Sequence, residues 1–451
     1  MNQDQLLEQA QRIVQMADTN EQIEVCCSSS TSTKIKVHGG QVESMTDAHN
    51  DAMGIRILNE GREGFASVGS FAKDAIEKAF NDARDNSQFA EKDEFIGIAE
   101  PDDTKAVEID TWRESVFSKP VKEKVSIATE LERRALEADK RISGVRVSSY
   151  TDGSSQVALA SSNGIGVTNR STFSVASIQV MSADGKDNRS GFGYDGGLES
   201  SEIDSEIILD RAVNRALNML GSVKPESQTV DLVLEPDNAA TFFGLIASML
   251  NGQSVVKGRS PFSDRVSESI ASELVTMFDD ATDSESKSAS AYDGEGLASR
   301  KVNLIESGKL QGFLHDSYTG RRYGTGSTAS ASRGVRSLPR PGSQALHVTP
   351  GEGGSEEDLI SSVMNGLYVY DFAGLHSGVN PVSGDLSLGV EGVMIRDGKL
   401  CESVNECTIN STLQKMLLGV TSVGSQVEHL YSGVSTPAVV IEDVSLSGAG
   451  A

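Results

Sequence analysis

Residues 21–67 read EQIEVCCSSSTSTKIKVHGGQVESMTDAHNDAMGIRILNEGREGFAS, and their periodicity decides the fold class. IEVCC, TKIKV and AMGIRIL have the composition and alternation of half-buried strands. Turn or polar stretches such as HGG and NEG separate them, and the third runs on into GREGFASV. From Phe71 to Asn86 the apolar spacing becomes helical, with Ala75, Ala79, Phe80 and Ala83 on one side. A strand meander that closes with a helix is predicted. Upstream, Leu6, Ala10, Ile13, Val14 and Ala17 fall on one face of a surface helix.

Downstream the pattern returns. A polar helix spanning Val121 to Asp139 precedes VRVSSY, SQVALASS, GIGVTNRS and FSVASIQVMSAD, all strand-like; NRSGFGYDGG reads as a loop, and Glu206 to Leu220 as a helix. Arg62-Glu63-Gly64-Phe65 matches Arg189-Ser190-Gly191-Phe192 at an offset of 127, and AIEKAFN from Ala75 matches AVNRALN from Ala212 at an offset of 137. The two stretches read as an internal duplication with a ten-residue insertion. A composition change at residues 222–230 marks a boundary. Beyond it VDLVLEP is a strand, and Pro236 opens a helix carrying Phe243, Ile246, Met249 and Leu250, stopped by Asn251-Gly252. Two more helices are expected, one from the Ser355–Asp358 capping box through Leu359, Ile360, Val363 and Met364, the other with Leu413, Met416, Leu417 and Val420 as its stripe. The predicted class is α+β: two strand-rich α+β units (residues 1–110 and 111–225) and a C-terminal domain, mainly β or α+β (residues 226–451).

Composition narrows the function. Forty Lys and Arg against 65 Asp and Glu leave a net charge of −25, a field that repels phosphate backbones and argues against direct nucleic-acid binding. Forty-four glycines and 5% aromatic residues point to many turns and aliphatic cores. MNQDQLLEQAQRIVQMADTN has neither the basic nor the apolar region of a secretory signal. The most apolar run, Phe242 to Leu250, is about half the length that crosses a bilayer, so no membrane association is expected. Cys26, Cys27, Cys401 and Cys407 suit neither a disulfide framework nor a zinc knuckle, and a reducing cytoplasm is the simplest setting.

No HExxH, GxSxG or GxxxxGK[ST] occurs, and no GxGxxG opens a helix after a strand. His38, His49, His315, His347, His376 and His429 are scattered singly, without a helical pair to hold zinc. Asp279, Asp280 and Asp283 could gather a hard cation but read better as a solvated acidic loop. SESK at 284–287 fits a Ser/Lys pattern inside a low-complexity stretch, and His315-Asp316 are adjacent, which in a strand would point them to opposite faces.

Several segments together resemble the TldD/PmbA family, also called peptidase U62 or modulators of DNA gyrase. They are GIRILNEGREGFAS, KGRSPF (257–262), DGEGLASRKVNLIESGKLQGFLHDSYTGRRYGTGSTASASRG (293–334) and SGDLSLGVEGVMIRDGKL (383–400). The resemblance spans nearly the whole chain. It implies cytoplasmic proteins with a strand-rich N-terminal part and a C-terminal domain, acting in proteolysis of peptides and unfolded proteins. It further implies that a TldD-type chain carries HExxxH on the helix before its KG loop and a distant Cys completing a zinc site. Counting back from Lys257-Gly258, the positions matching the two His and the Glu are Phe243, Ser248 and Gly244, and SQVEHLYSGVSTPAV lacks the Cys. The chain therefore resembles the PmbA/TldE type, the non-catalytic partner of a TldD-type subunit. No cofactor is expected in it, zinc being expected in the TldD-type partner. Gly244 suggests a close backbone approach.

That resemblance implies an oligomer, a homodimer in isolation or a heteromer with a TldD-type subunit, handling peptides or unfolded proteins. An autonomous hydrolase with a non-standard site and a regulator of DNA gyrase are the alternatives. Ser317 to Gly351 contains no Asp or Glu but five arginines, Arg321, Arg322, Arg333, Arg336 and Arg340, around the pliable GTGSTASAS. Arg321, Arg322 and Arg333 are the expected contacts to an acidic partner surface or to a peptide carboxylate.

Overall fold

A computed structural model of the chain describes residues 1–448. The first half has the order α1 (Gln3–Val14), β1 (Glu21–His38), β2 (Gln41–Asn59), β3 (Arg62–Val68), α2 (Lys73–Phe89), α3 (Ser115–Ser118), α4 (Val121–Ala138), β4 (Ile142–Ser161), β5 (Gly166–Asp184), β6 (Asp187–Gly197) and α5 (Ser205–Asn218). A helix, three strands and a closing helix thus occur twice, and the fold is α+β.

The two units share one six-stranded antiparallel sheet, β3-β2-β1-β4-β5-β6, sewn together where β1 pairs with β4 from Glu24↔Ser161 to Val37↔Ser148. The strands are longer than the hydrophobic pattern suggested. SSSTST does not interrupt β1, because both of its edges are paired and its small hydroxyl side chains fit a pleated surface. Thr31 and Ser154 hydroxyls meet across the seam at 3.0 Å. Gly39 and Gly40, at φ +61° and +72°, turn the β1–β2 hairpin, and their N–H groups donate to the buried Glu132 of α4 at 2.8 and 2.6 Å.

NRSGFGYDGG is a strand, β6, rather than a loop. Its glycines answer to close packing: a Cβ on Gly191 would lie 2.0 Å from the Ala212 carbonyl oxygen of α5, and one on Gly193 would lie 2.0 Å from that of Ile208. Gly64 of β3 repeats the arrangement 2.0 Å from the Ala83 carbonyl of α2. This equates Ala83 with Ala212, an offset of 129, so the helices align eight residues further along α2 than the AIEKAFN match implied, and the ten-residue insertion disappears.

All four long helices cover one face of the sheet. Leu6, Ile13, Ile76 and Phe80 pack on Ile23, Val25, Ile55 and Ile57, while Leu131, Ile208 and Ala212 pack on Ile35, Tyr150, Ile178 and Val180. The opposite face receives the C-terminal half.

That half begins with β7 (Gln228–Leu234), α6 (Pro236–Met249) and α7 (Gly252–Val256), followed by β8 (Met277–Asp279), β9 (Val302–Glu306), β10 (Lys309–Leu310) and α8 (Ser317–Tyr323). It continues through β11 (Ala331–Ser332), β12 (Arg340–Pro341), β13 (Leu346–Val348), α9 (Glu356–Ser362), β14 (Asn365–Ala373), α10 (Leu375–Gly378), β15 (Asp385–Arg396) and β16 (Lys399–Thr412). It ends with α11 (Leu413–Leu418), β17 (Val420–Val423), β18 (Glu428–His429), β19 (Val434–Thr436) and β20 (Val439–Ser447). The sheet β16-β15-β14-β7-β20-β17 closes on itself through β16–β20 pairing, and β10-β9-β8-β13-β19-β18 forms a second sheet. The capping box at Ser355 and Asp358 forms, but α9 stops at Ser362, leaving Val363 as its C-cap and Met364 exposed.

Gly64→Ala and Gly191→Ala are each expected to lower stability by about 1–3 kcal/mol, the usual cost of forcing extra atoms into close packing. Urea unfolding midpoints of the two variants check this.

Candidate functional site

The face of the N-terminal sheet turned away from the helices carries Glu24, Cys26 and Ser28 on β1, Arg56 on β2, Ser155, Val157 and Leu159 on β4, and Val167 and Asn169 on β5, which are cross-strand neighbours. Segments 288–294, 331–335 and 343–344 of the C-terminal half stand over this face and enclose a cleft of 520 Å³. The backbones come close at Gly54, where a Cβ would lie 2.1 Å from the Val335 carbonyl oxygen. Three smaller hollows adjoin the cleft. One of 400 Å³ shares Asn169 and Ser288 with it, one of 450 Å³ shares Thr168, Asn169 and Tyr292, and one of 270 Å³ shares Ser343 and Gln344.

The 270 Å³ groove contains two of the positions matched to the zinc motif. Gly244 and Ser248, one turn apart on α6, line it with Ala247, Asn251, Leu346, Ser432 and Val434, the last two from the stretch where the Cys was expected. Phe243 points elsewhere: it is fully buried in the core, edge-on to Phe242 at 5.1 Å. A Cβ on Gly244 would meet nothing within 4 Å, so this glycine opens the groove instead of admitting a close backbone.

A buried ionic junction fastens the two halves beside the cleft. Glu24, fully buried, pairs with Arg333 and lies 3.8 Å from Arg56, which donates to Glu63 at 2.5 Å. Arg321 of α8 donates to the Phe95 and Gly97 carbonyls at 2.8 and 2.7 Å, and Arg322 donates to the Tyr318 hydroxyl at 2.9 Å. Arg333 and Arg321 thus find partners within the chain, and of the three expected contacts only Arg322 is exposed. GTGSTASAS is likewise fixed, with the N–H of Thr328 donating to the His315 carbonyl and Ala329, Ser330 and Ala331 buried. Asp293 accepts from the backbone N–H groups of Glu295, Leu297 and Ala331, yet burial raises its pKa to about 6. Glu295 accepts from the Ser317 N–H; burial, then Asp293 and Asp316, push it up to about 8. A second junction joins α5 to the start of α6. Arg211 reaches Asp237 at 3.1 Å and Glu428 at 2.5 Å, and Arg215 pairs with Glu235, whose burial raises it to about 7.

His315 and Asp316 do not lie in a strand. Asp316 caps α8, and both side chains converge on the Thr319 hydroxyl, at 3.2 Å from His315 Nδ1 and 2.7 Å from Asp316 Oδ1. Thr319 is fully buried and burial lowers His315 to about 4, so the trio is a closed helix cap with no exposed nucleophile. Asp279 accepts from Ser343 and from the N–H groups of Gln344 and Ala345, Asp280 from Thr282, and Asp283 from Glu285. Lys287 of SESK lies 3.4 Å from Glu202. Among the described residues no three His, Cys, Asp or Glu side chains are grouped to hold a metal ion, and no helix is long and apolar enough to cross a membrane.

A sandwich of a helix-backed antiparallel sheet on a closed, strand-rich C-terminal half, with a cleft between them, is the architecture these features define. The chain belongs to the PmbA/TldA metallopeptidase family: residues 23–87 match its domain 1, 114–220 its central domain and 227–448 its C-terminal domain. It is 24% identical over 428 residues to metalloprotease PmbA of Escherichia coli O157:H7, covering 94% of this chain and 92% of that one. It is 29% identical over 349 residues to a metalloprotease TldD homolog of Buchnera aphidicola, covering 71% and 70%. The crystal structure of TldE from Thermococcus kodakarensis superposes with a TM-score of 0.86 at 23% identity, covering 99% of both chains.

The family implies a metal, and the groove at Gly244 and Ser248 does not suit one. Its side chains offer hydroxyls and amides but no imidazole, thiolate or carboxylate, the donors that bind zinc.

Sequence reasoning missed Glu24, Arg56, Asp293 and Glu295. A signal existed for the first two: each is a lone charge inside an apolar strand, in IEV and IRI. The raised pKa of Glu295 fixes a sign. Unfolded, it loses its proton near the ordinary 4.5; folded, it keeps it to about 8. Between those values the folded chain holds the extra proton, so stability falls as pH rises through that window and levels off above it. Glu295→Gln is expected to match the parent near pH 5 and to be the more stable at pH 9, as urea unfolding midpoints at the two pH values will show.

Proposed function

We propose that this chain is the non-catalytic, PmbA/TldE-type subunit of a cytoplasmic protease whose hydrolytic chemistry resides in a TldD-type partner subunit, and that it forms part of the chamber receiving peptides or unfolded proteins. One observation carries the reading. The groove containing Gly244 and Ser248 adjoins the cleft at Ser343 and Gln344, but has no group able to bind zinc or act as general base. Hydroxyl and amide side chains along the cleft suit the N–H and C=O groups of an extended peptide. In isolation the chain forms a homodimer.

The expected outcome is that the chain purified without chelator carries no stoichiometric zinc and cleaves no peptide alone, and that cleavage of an unfolded protein appears when a TldD-type subunit is added. One zinc per chain with activity in the isolated protein, read by metal analysis and peptide assay, would refute the assignment.

A further inference from the structure

We propose that the open edge of β2, Gln41–Asp51, is a docking site for a basic, extended segment of an unfolded polypeptide, which joins the sheet there as an added strand. The proposal rests on the chamber reading above and deepens it by naming the class of chain captured.

Residues 53–59 of β2 lie between β1 and β3, but β3 ends opposite Met53. From Asp51 back to Gln41 the strand is paired, among the described residues, with β1 alone. Its register with β1 shifts beside the turn, at Lys36 and Val37, so Ser44–Asp51 is a regular run whose outer row of backbone N–H and C=O groups is unpaired. Residues 41–47, 49 and 50 are exposed, Val42 and Met45 among them. Long edges are normally blunted by Lys, by Pro or by a covering segment. Gln41–Asp51 contains neither Lys nor Pro, and no segment of the described residues pairs along it.

The second unit shows what closes such an edge. Gly64 and Gly191, equivalent in the two units, pair with Ile57 of β2 and Val180 of β5. That offset of 123 sets Ser44–Asp51 against Val167–Ser174. There, residues 111–113 of the connection between the units take over where β6 ends at Gly197↔Ser174. The Thr172 N–H donates to the Thr111 carbonyl at 2.9 Å, the Thr111 hydroxyl to the Arg170 carbonyl at 2.6 Å, and the Arg113 N–H to the Thr172 hydroxyl at 3.1 Å. Arg170 also lays its guanidinium over the Trp112 ring, 5.0 Å from the centroid. The residue of β2 at the position of Arg170 is Asp47.

Charge selects the occupant. Met45 pairs with Ile35, which is buried on the helix-covered face, and strand alternation puts Asp47, His49 and Asp51 on that same face. Asp47 and Asp51 therefore offer carboxylates four residues apart, with His49 3.2 Å from Asp51. Lys34 and Lys36 of β1 pair with Thr46 and Ser44 and belong to the opposite face. An added strand carrying Lys or Arg at two positions four apart complements this edge, whereas the edge of a second copy brings the same carboxylates. The site also leads to the cleft: Ala52, the next residue, pairs with Ser28 of the cleft wall.

The probe is a peptide of about eight residues, the length of the regular run, built from Thr, Val and Ser with both ends blocked and Lys at two positions four apart. One control carries Glu in place of Lys. The other keeps Lys but is N-methylated at two adjacent central residues, which removes a backbone donor from each edge. Binding to the full chain is measured by calorimetry at pH 7 and low salt. The Lys peptide is expected to bind at least about tenfold more tightly than either control. Asp47→Lys with Asp51→Lys is expected to reverse the preference in favour of the Glu peptide, a result that loss of folding does not produce. Equal binding of the Lys peptide and its N-methylated form indicates charge attraction without an added strand and overturns the proposal. So does failure of the Lys peptide to bind; if the same double variant then converts a dimer into a monomer by light scattering, the edge belongs to a second copy. Cleavage of an unfolded protein by the unmutated chain with a TldD-type subunit is measured alongside. Cleavage without edge binding overturns the docking site and leaves the chamber reading in place, and absence of both overturns both.

Discussion

The pairing of Glu24 with Arg333, beside Arg56, is the interaction on which the molecule depends. It joins a strand near the start of the chain to a loop more than 300 residues later, with both side chains out of water. Removing one member of such a pair typically costs about 3–5 kcal/mol because the other charge is stranded. The junction is not self-contained, however: Glu63, Asp293, Glu295 and Asp316 crowd the same volume, and three arginines face five carboxylates. Burial, then the neighbouring Asp293 and Asp316, raise the pKa of Glu295, which favours its neutral form and so relieves that imbalance.

The architecture follows from assigning the two faces of one sheet to different tasks. One face is an aliphatic bed for four helices, with glycines where helix backbones come closest. The other is mixed: Leu159, Val157 and Val167 pack with Leu297, Ala329 and Val335 of the C-terminal half, while Ser28, Ser155 and Asn169 line the space left open beside them. Cleft and groove adjoin at the 343–344 segment, which borders both and is fixed by Asp279, which accepts from the Ser343 hydroxyl and two backbone N–H groups.

Much of the fold was legible in the sequence because its signals are local. The period change at Phe71, Pro236 at the first turn of α6 and the Ser355 capping box report on their own neighbourhoods, and each element appears within a few residues of its expected place. What failed was non-local. SSSTST looks like a linker until β4 is present to pair with it, and the glycines of β6 look like a loop until α5 is laid across them. The site divides the same way. That Gly244 and Ser248, matched to the zinc motif only by resemblance, carry no zinc donor could be read by counting back from the KG loop. Whether Arg333 faced a partner or its own Glu24 depended on a contact across 309 positions, for which charge pattern carries no information.

The central seam has a temporal consequence. β1 is completed at residue 38, but the strand that flanks it, β4, begins at residue 142. During synthesis from the N-terminus the β1–β2 hairpin therefore waits about a hundred residues with its hydroxyl-rich edge open, a state in which strands can join the wrong neighbour. SSSTST, low in apolar content, is a poor template for such association. The tract that blurred strand prediction can thus protect the nascent chain until its own second half arrives.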